Sequence, residues 1–238
     1  PQIERIVRAD IHPPLYFFLL HLWIRLPLAG SLIVRMRALS ALCAMLATVA
    51  VDRLWLARSS ERTRLWFLGL WTLSPCLLLY GRMARSYSMQ ALLACLVLYA
   101  AWRFLAAPHD GRKLVLYVAS AAALLYVHYL PGAAILVAVT LVLAWRLIRS
   151  RRAALLLPLA LPNLLIAAAY LPWVSTFAQA LGSWLAPRPL YRLAPEPVLE
   201  NGVKLAYWFV SFNFGESLPV AGVFLGLVLS PFILWLLW

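Results

Sequence analysis

The chain is divided into long apolar runs, several of them close to the ~20 residues a helix needs to cross a bilayer, joined by short arginine-rich connections. That pattern leaves few folds open. Hydrocarbon offers the backbone no hydrogen-bond partner, so only helices and closed barrels cross it. Barrel strands alternate in short segments, and these runs do not. Composition agrees: 65% hydrophobic and 12% charged residues exclude a soluble domain, whose apolar fraction is about half. The expectation is an all-α polytopic membrane protein forming a single transmembrane domain. The net charge of +13 then reads as a topology signal rather than as the footprint of a nucleic acid, and the expected surroundings are the lipid bilayer.

Ile3, Ile6 and Val7 line one side of a helix with Glu4, Arg5 and Arg8 on the others, as expected of a helix lying in the membrane interface. The following stretch, Leu15 to Leu28, is about 14 residues long and carries His21 and Arg25, so it reads as re-entrant or interfacial rather than crossing. About seven spans come next: Ala38 to Leu56, Leu65 to Tyr80, Ser88 to Leu105, Leu114 to Tyr129, Gly132 to Leu147, Ala153 to Trp173 and Leu218 to Trp238. In domain terms, residues 1–34 form an external loop with interfacial helices, residues 35–173 hold six spans, residues 174–217 form a long external loop, and residues 218–238 are the last span.

Basic clusters at Arg53, Arg58, Arg62 and Arg64, at Arg103, Arg112 and Lys113, and at Arg146, Arg149, Arg151 and Arg152 mark cytoplasmic loops by the positive-inside rule. Alternation then puts the loop Gly81 to Tyr87, the turn at His128 and Tyr129, and the long connection on the external side, joined by Asp10 if Leu15 to Leu28 does not cross. Cys43, Cys76 and Cys95 fall inside apolar runs without paired spacing and read as small core residues. Pro1 is not an initiator and Trp238 ends inside an apolar run, which suggests a fragment of a longer chain.

Asp10 reads equally as the N-cap of a helix beginning at Pro13 and Pro14 or as a catalytic carboxylate, and capping does not exclude catalysis. His12 has no second ligand at metal spacing and suits an interfacial or substrate-binding role better than a metal site. Arg82 and Arg85, three apart and so on one helical face, either snorkel to headgroups or receive an anion such as a lipid phosphate. His128 and Tyr129 fit an aromatic interfacial belt or an orienting pair. No glycine-rich phosphate loop or nucleotide fingerprint is present, which makes a donor dissolved in the lipid more natural than a soluble nucleotide sugar.

Asp10-Ile11-His12-Pro13-Pro14-Leu15-Tyr16, followed by His21-Leu22-Trp23, resembles the Asp-x-His-Pro-Pro-Leu-Tyr signature of bacterial membrane glycosyltransferases related to the protein O-mannosyltransferases, glycosyltransferase family 39 with the class-C fold. Arg37-Ala38-Leu39-Ser40-Ala41-Leu42 is similar to the start of that family's next span. Leu73-Ser74-Pro75 and Tyr80-Gly81-Arg82-Met83-Ala84-Arg85-Ser86-Tyr87 resemble its Leu-Ser-Pro and Tyr-Ser-Gln-Glu-Ala-Arg-x-Tyr pattern, and Tyr126-Val127-His128-Tyr129 its Tyr-Thr-His-Tyr turn. The likeness runs from Asp10 to about Tyr129. Two departures stand out: Met83 occupies the glutamate position and Arg82 the glutamine position. Family members usually carry an acidic pair earlier in that loop, after a first span, and this chain begins too late to include it.

The resemblance implies an inverting transfer of a sugar from a polyprenyl-phosphate donor to a lipid, polysaccharide or protein acceptor, at the external face of a bacterial inner membrane and without a nucleotide. Asp10 is the matching carboxylate to take the acceptor's proton, or a positioning group if the earlier acidic pair holds the base. Arg85 first and Arg82 second would stabilise the phosphate leaving group, and His12, Tyr87, His128 and Tyr129 would bind substrate. No cofactor is implied, and a divalent metal stays open. The competing readings are a degenerate relative that binds polyprenyl phosphate or another lipid without turnover, which the loss of glutamate at Met83 favours, and, ranked last, a transporter, which predicts mid-span polar residues and a structural repeat that the sequence does not clearly show.

Overall fold

The computed structural model describes residues 13–151 and 153–185. Within them the backbone forms eight α-helices and no strand. Helix α1 (Leu15–Trp23) has nine residues. At 1.5 Å per residue it covers about 13 Å, under half of a bilayer's ~30 Å hydrocarbon core, too short to cross on its own. The chain then turns through Gly30 at φ +106°, a backbone state that glycine adopts without strain, and Ser31 caps α2 by accepting from the Val34 amide at 3.4 Å.

Helix α2 (Leu32–Ala50) continues as a single wide π turn, Val51–Trp55, and together they form the first of four helices long and apolar enough to cross a membrane. The expected span Leu65 to Tyr80 is instead two short helices, α3 (Glu61–Thr72) and α4 (Pro75–Gly81). The physical reason is Pro75, which has no amide hydrogen to donate and fits the first turn of a new helix better than the interior of an old one. Neither piece reaches the length of a span.

Helices α5 (Tyr87–Ala106), α6 (Gly111–Val127) and α7 (Tyr129–Arg149) run up and down on short connections. Asp110 starts α6 by accepting from the Arg112 amide at 3.0 Å. Between α6 and α7 only His128 is non-helical, in an extended conformation. A Cβ on Gly132 would sit 3.2 Å from the Leu124 carbonyl oxygen, so the absence of a side chain there lets α7 close onto α6 directly after the turn. Helix α8 (Leu156–Leu185) follows a 3-10 turn, Ala153–Leu155. The expected boundary at Trp173 is therefore too early: the helix continues into the stretch expected to be loop. Helices α5, α7 and α8 supply the other three candidate spans.

The main core lies among α5, α6, α7 and α8, around Val97, Phe104, Tyr117, Leu124, Val139 and Ile166, with α6 most enclosed. Near the middle of α7, Thr140 donates to Asn163 at 3.0 Å and Asn163 donates to the Leu159 carbonyl at 2.8 Å, tying α7 to α8 where Pro162 interrupts the helix's own ladder. Outward faces carry large apolar side chains such as Leu46, Trp102, Leu141 and Leu164, as a lipid-facing surface requires. Cys43 is buried, Cys76 and Cys95 are half-buried, and none of the three forms a disulfide. The expected last span, residues 218–238, lies outside the described residues.

Candidate functional site

The α1 signature, the start of α2 and the Arg82–Ser86 turn meet in one buried chain of hydrogen bonds. Pro14 caps α1, with its carbonyl accepting from the Phe18 amide at 2.9 Å, and Pro13 is fully buried. This seats Tyr16, also fully buried, with its hydroxyl 2.9 Å from the Ser40 hydroxyl. Ser40 donates to the Arg85 carbonyl at 3.0 Å. Ser40 has one hydrogen to give, so Tyr16 is the donor of the first bond. Burial pushes the Tyr16 phenol above its ordinary pKa, which keeps that donor protonated.

Around this chain Leu20, Leu39, Cys43, Met89 and Val127 close a second buried cluster. Val127 brings in the fourth stretch of resemblance, the turn before His128. The far end of α1 is fastened separately. Trp23 Nε1 donates to the Arg35 carbonyl at 2.9 Å, and the Arg35 guanidinium donates to the carbonyls of Ile24 and Leu26, satisfying acceptors that the helix end leaves open. Both ends of α1 thus lie against the first part of α2, at the end of the bundle that also holds the Arg82–Ser86 turn. This arrangement agrees with the non-crossing reading of Leu15 to Leu28.

Next to the hydrogen-bond chain an open cleft of about 820 Å³ lies between the start of α2 and the end of α4. Ile33 and Leu79 are among its walls, and Arg37, Arg82 and Arg85 line it together with Met83. Arg82 and Arg85 do not share a helical face as their spacing suggested. Helix α4 ends at Gly81, and the Arg85 amide bonds back to the Met83 carbonyl at 2.8 Å, so the two arginines stand on a tight turn. Arg37 was not among the expected site residues. It follows the α2 cap by six positions and enters the cleft because the Ser40–Arg85 bond draws the turn against α2. The described carboxylates are Asp52, Glu61 and Asp110, and none lines this cleft. Where the family pattern has glutamate, the thioether of Met83 contributes to the wall.

The remaining expected residues form an adjoining aromatic file rather than part of the cleft lining. Tyr87 packs against Tyr80 with ring centres 4.5 Å apart and the rings tilted at 51°, and lies 6.4 Å from the His128 ring. His128 neighbours Tyr129 at 6.1 Å, and Tyr129 meets Phe177 of α8 edge-on at 4.8 Å. Tyr126 extends the file by donating to the Ala169 carbonyl at 3.0 Å and packing on Trp173. Phe177 is not legible as a site residue in the sequence, because it falls in the stretch expected to be loop. Asp10 and His12 lie outside the described residues. Among the described residues no three His, Cys, Asp or Glu side chains cluster as metal ligands would.

The opposite end of the bundle handles charge differently. The π turn turns Asp52 toward α3, where Arg64 donates to both its oxygens and Arg53 lies at 3.4 Å. Asp110 pairs with Lys113 at 3.1 Å, and this hydrogen bond holds its carboxyl below the usual range. An arrangement of three guanidiniums unopposed by a described carboxylate, floored by a rigid hydrogen-bonded turn, suits an anion with several oxygens. A scan of protein-family models finds no match to the chain, and searches of curated proteins and of solved structures likewise find none.

Proposed function

We propose that this chain is the catalytic membrane region of a glycosyltransferase that moves a sugar from a polyprenyl-phosphate donor to an acceptor, with a class-C-like bundle of about seven spans and α1 as its re-entrant element. The observation that carries the proposal is the meeting of four separated stretches of resemblance around one cleft lined by Arg37, Arg82 and Arg85. In this reading the motif end faces outward and the basic loops face the cytoplasm, as the positive-inside rule requires.

The donor's phosphate sits on the guanidiniums. The acceptor hydroxyl attacks the anomeric carbon from the face opposite the phosphate, its proton passes to Asp10, and the bond between the anomeric carbon and the phosphate oxygen breaks. The bonding pair leaves with the polyprenyl phosphate, and the configuration inverts. A hydroxyl is a weak nucleophile until a positioned base takes its proton. Charge grows on the phosphate as the bond breaks, and one preorganised donor lowers such a barrier by about 3 to 4 kcal/mol. Arg85 is the best placed, since its backbone is fixed by Ser40. His12, Tyr87, His128 and Tyr129 orient the sugar and acceptor.

One observation favours a second reading, a protein that binds the lipid carrier without turnover: Met83, not a carboxylate, lines the cleft. The two separate in one experiment. The chain in detergent is supplied with radiolabelled polyprenyl-phosphate sugars and an envelope extract as acceptor, beside Asp10→Asn and Arg85→Ala variants that insert normally. Loss of transfer in both variants supports the roles assigned. Transfer surviving in Asp10→Asn moves the base elsewhere, and carrier binding without transfer by the unaltered chain sinks the enzyme reading in favour of the second.

A further inference from the structure

On the opposite half of the bundle, away from the arginine cleft, a lateral groove of about 340 Å³ opens between α5 and α7. Its walls are apolar, with Leu98 and Trp102 from α5, Val139 and Val142 from α7, and Trp55 of the π turn at one side. Leu98, Trp102 and Val142 are exposed on the bundle surface, so in a membrane this groove faces lipid tails. Apolar shape alone would accept any tail. Its charged end is more selective.

Arg146 lines the groove, with its guanidinium 5.0 Å from the centre of the Trp102 ring. Outside the groove lining, in the last turn of α5, Arg103 stands 5.9 Å over Tyr99, whose ring meets Trp55 at 6.4 Å, and in the last turn of α7 Arg149 stands 5.5 Å over Trp145. Aromatic faces therefore hold three guanidiniums at the level where the apolar groove ends, and Asp52 and Asp110 are engaged elsewhere, by Arg64 and Lys113. A guanidinium lying against a ring keeps N–H groups at its edge for a phosphate. Tyrosine and tryptophan at this depth are also characteristic of the headgroup boundary.

From this charge complementarity we infer that the groove holds one acyl chain of an anionic phospholipid whose headgroup phosphate is bound by Arg146, with Arg103 and Arg149 adding attraction. A phospholipid with a net negative headgroup is preferred over a zwitterionic one, because the cationic group of the latter would be brought beside three arginines. The site is separate from the arginine cleft and does not rest on the transferase reading.

Native mass spectrometry of the chain in detergent tests this with phosphatidylglycerol and phosphatidylcholine of matched tails. Phosphatidylglycerol should be retained at least about fivefold better. Arg146→Gln should weaken its retention about fivefold, the ~1 kcal/mol that one basic side chain contributes near an anionic surface. Ala138→Trp, which fills the groove, should reduce retention of that lipid, and Arg58→Gln on the α2–α3 connection should leave it unchanged. Equal retention of the two lipids, or a preference untouched by Arg146→Gln, would overturn the assignment. So would a photo-crosslinker at position 138 that joins another segment of the protein instead of lipid, since the groove would then be an internal interface.

Discussion

The two ends of the bundle differ in where the described carboxylates sit. At the basic-loop end, Asp52 and Asp110 each have a cation in direct contact, and Asp110 also caps a helix. At the motif end three arginines line a cleft to which no described residue contributes a carboxylate, while neutral hydroxyls of Tyr16 and Ser40 hold the backbone beneath them. Carboxylates consumed in local pairs fasten loops. Among the described residues the cleft arginines have no such partner, and the hydroxyls that hold their turn carry no charge that would compete for an anion.

The contrast breaks first under mutation of the arginines. Arg37→Ala should lower sugar transfer by about 10²-fold, the effect of removing one donor to a developing oxyanion, while Asp52→Asn should leave it within about twofold. Steady-state rates on equal amounts of inserted protein decide the matter, and similar losses in both variants would mean that the two ends do not differ in function.

A smaller effect tests the scaffold. Ser40→Ala leaves the buried Tyr16 hydroxyl without its acceptor and should destabilise the protein by about 1 to 3 kcal/mol. Adding Tyr16→Phe should restore part of that loss, because replacing both partners of a buried pair is milder than orphaning one. Thermal unfolding in detergent measures both. If the double variant is no more stable than Ser40→Ala, the chain of hydrogen bonds is not what holds the turn.

The smallest effect is at the basic-loop end. Asp110 has its pKa depressed in the folded protein by Lys113. Its contribution is therefore present above the unfolded value of about 3.9 and disappears as pH falls through the lower folded value. Asp110→Asn keeps a capping side chain but should flatten this acid-side dependence of the unfolding midpoint. A dependence that persists in the variant would assign it to other groups.

Hydropathy made α5, α6 and α7 legible to within a few residues, because an apolar run bounded by arginines has one stable answer in lipid, whereas α2 starts at Leu32, six residues before the expected Ala38. It failed where apolarity and helix continuity part company. Leu65 to Tyr80 is mostly apolar, yet Pro75 divides it. Ser175, Thr176 and Gln179 dilute the apolar signal after Trp173, yet none of them stops a helix and α8 continues. Arg82 and Arg85 were legible as a pair but not as a turn, since spacing carries no information about a local bond such as that from the Arg85 amide to Met83. Arg37 was out of reach for a different reason. Its place in the cleft is produced by the Ser40–Arg85 bond, a contact across 45 positions that no local pattern encodes.

The π turn at Val51–Trp55 has a consequence best stated as rotation. Each residue of an α-helix advances about 100° around the axis, so two fastenings on one rigid helix must agree in angle as well as in height. Helix α2 is fastened to Tyr16 through Ser40 near one end, and its π extension is fastened to Arg64 through Asp52 at the other. By taking in an extra residue, the wide turn resets the angular phase between them. The azimuth of the arginine cleft and that of the α3 pairing can thus be set independently on a single continuous rod.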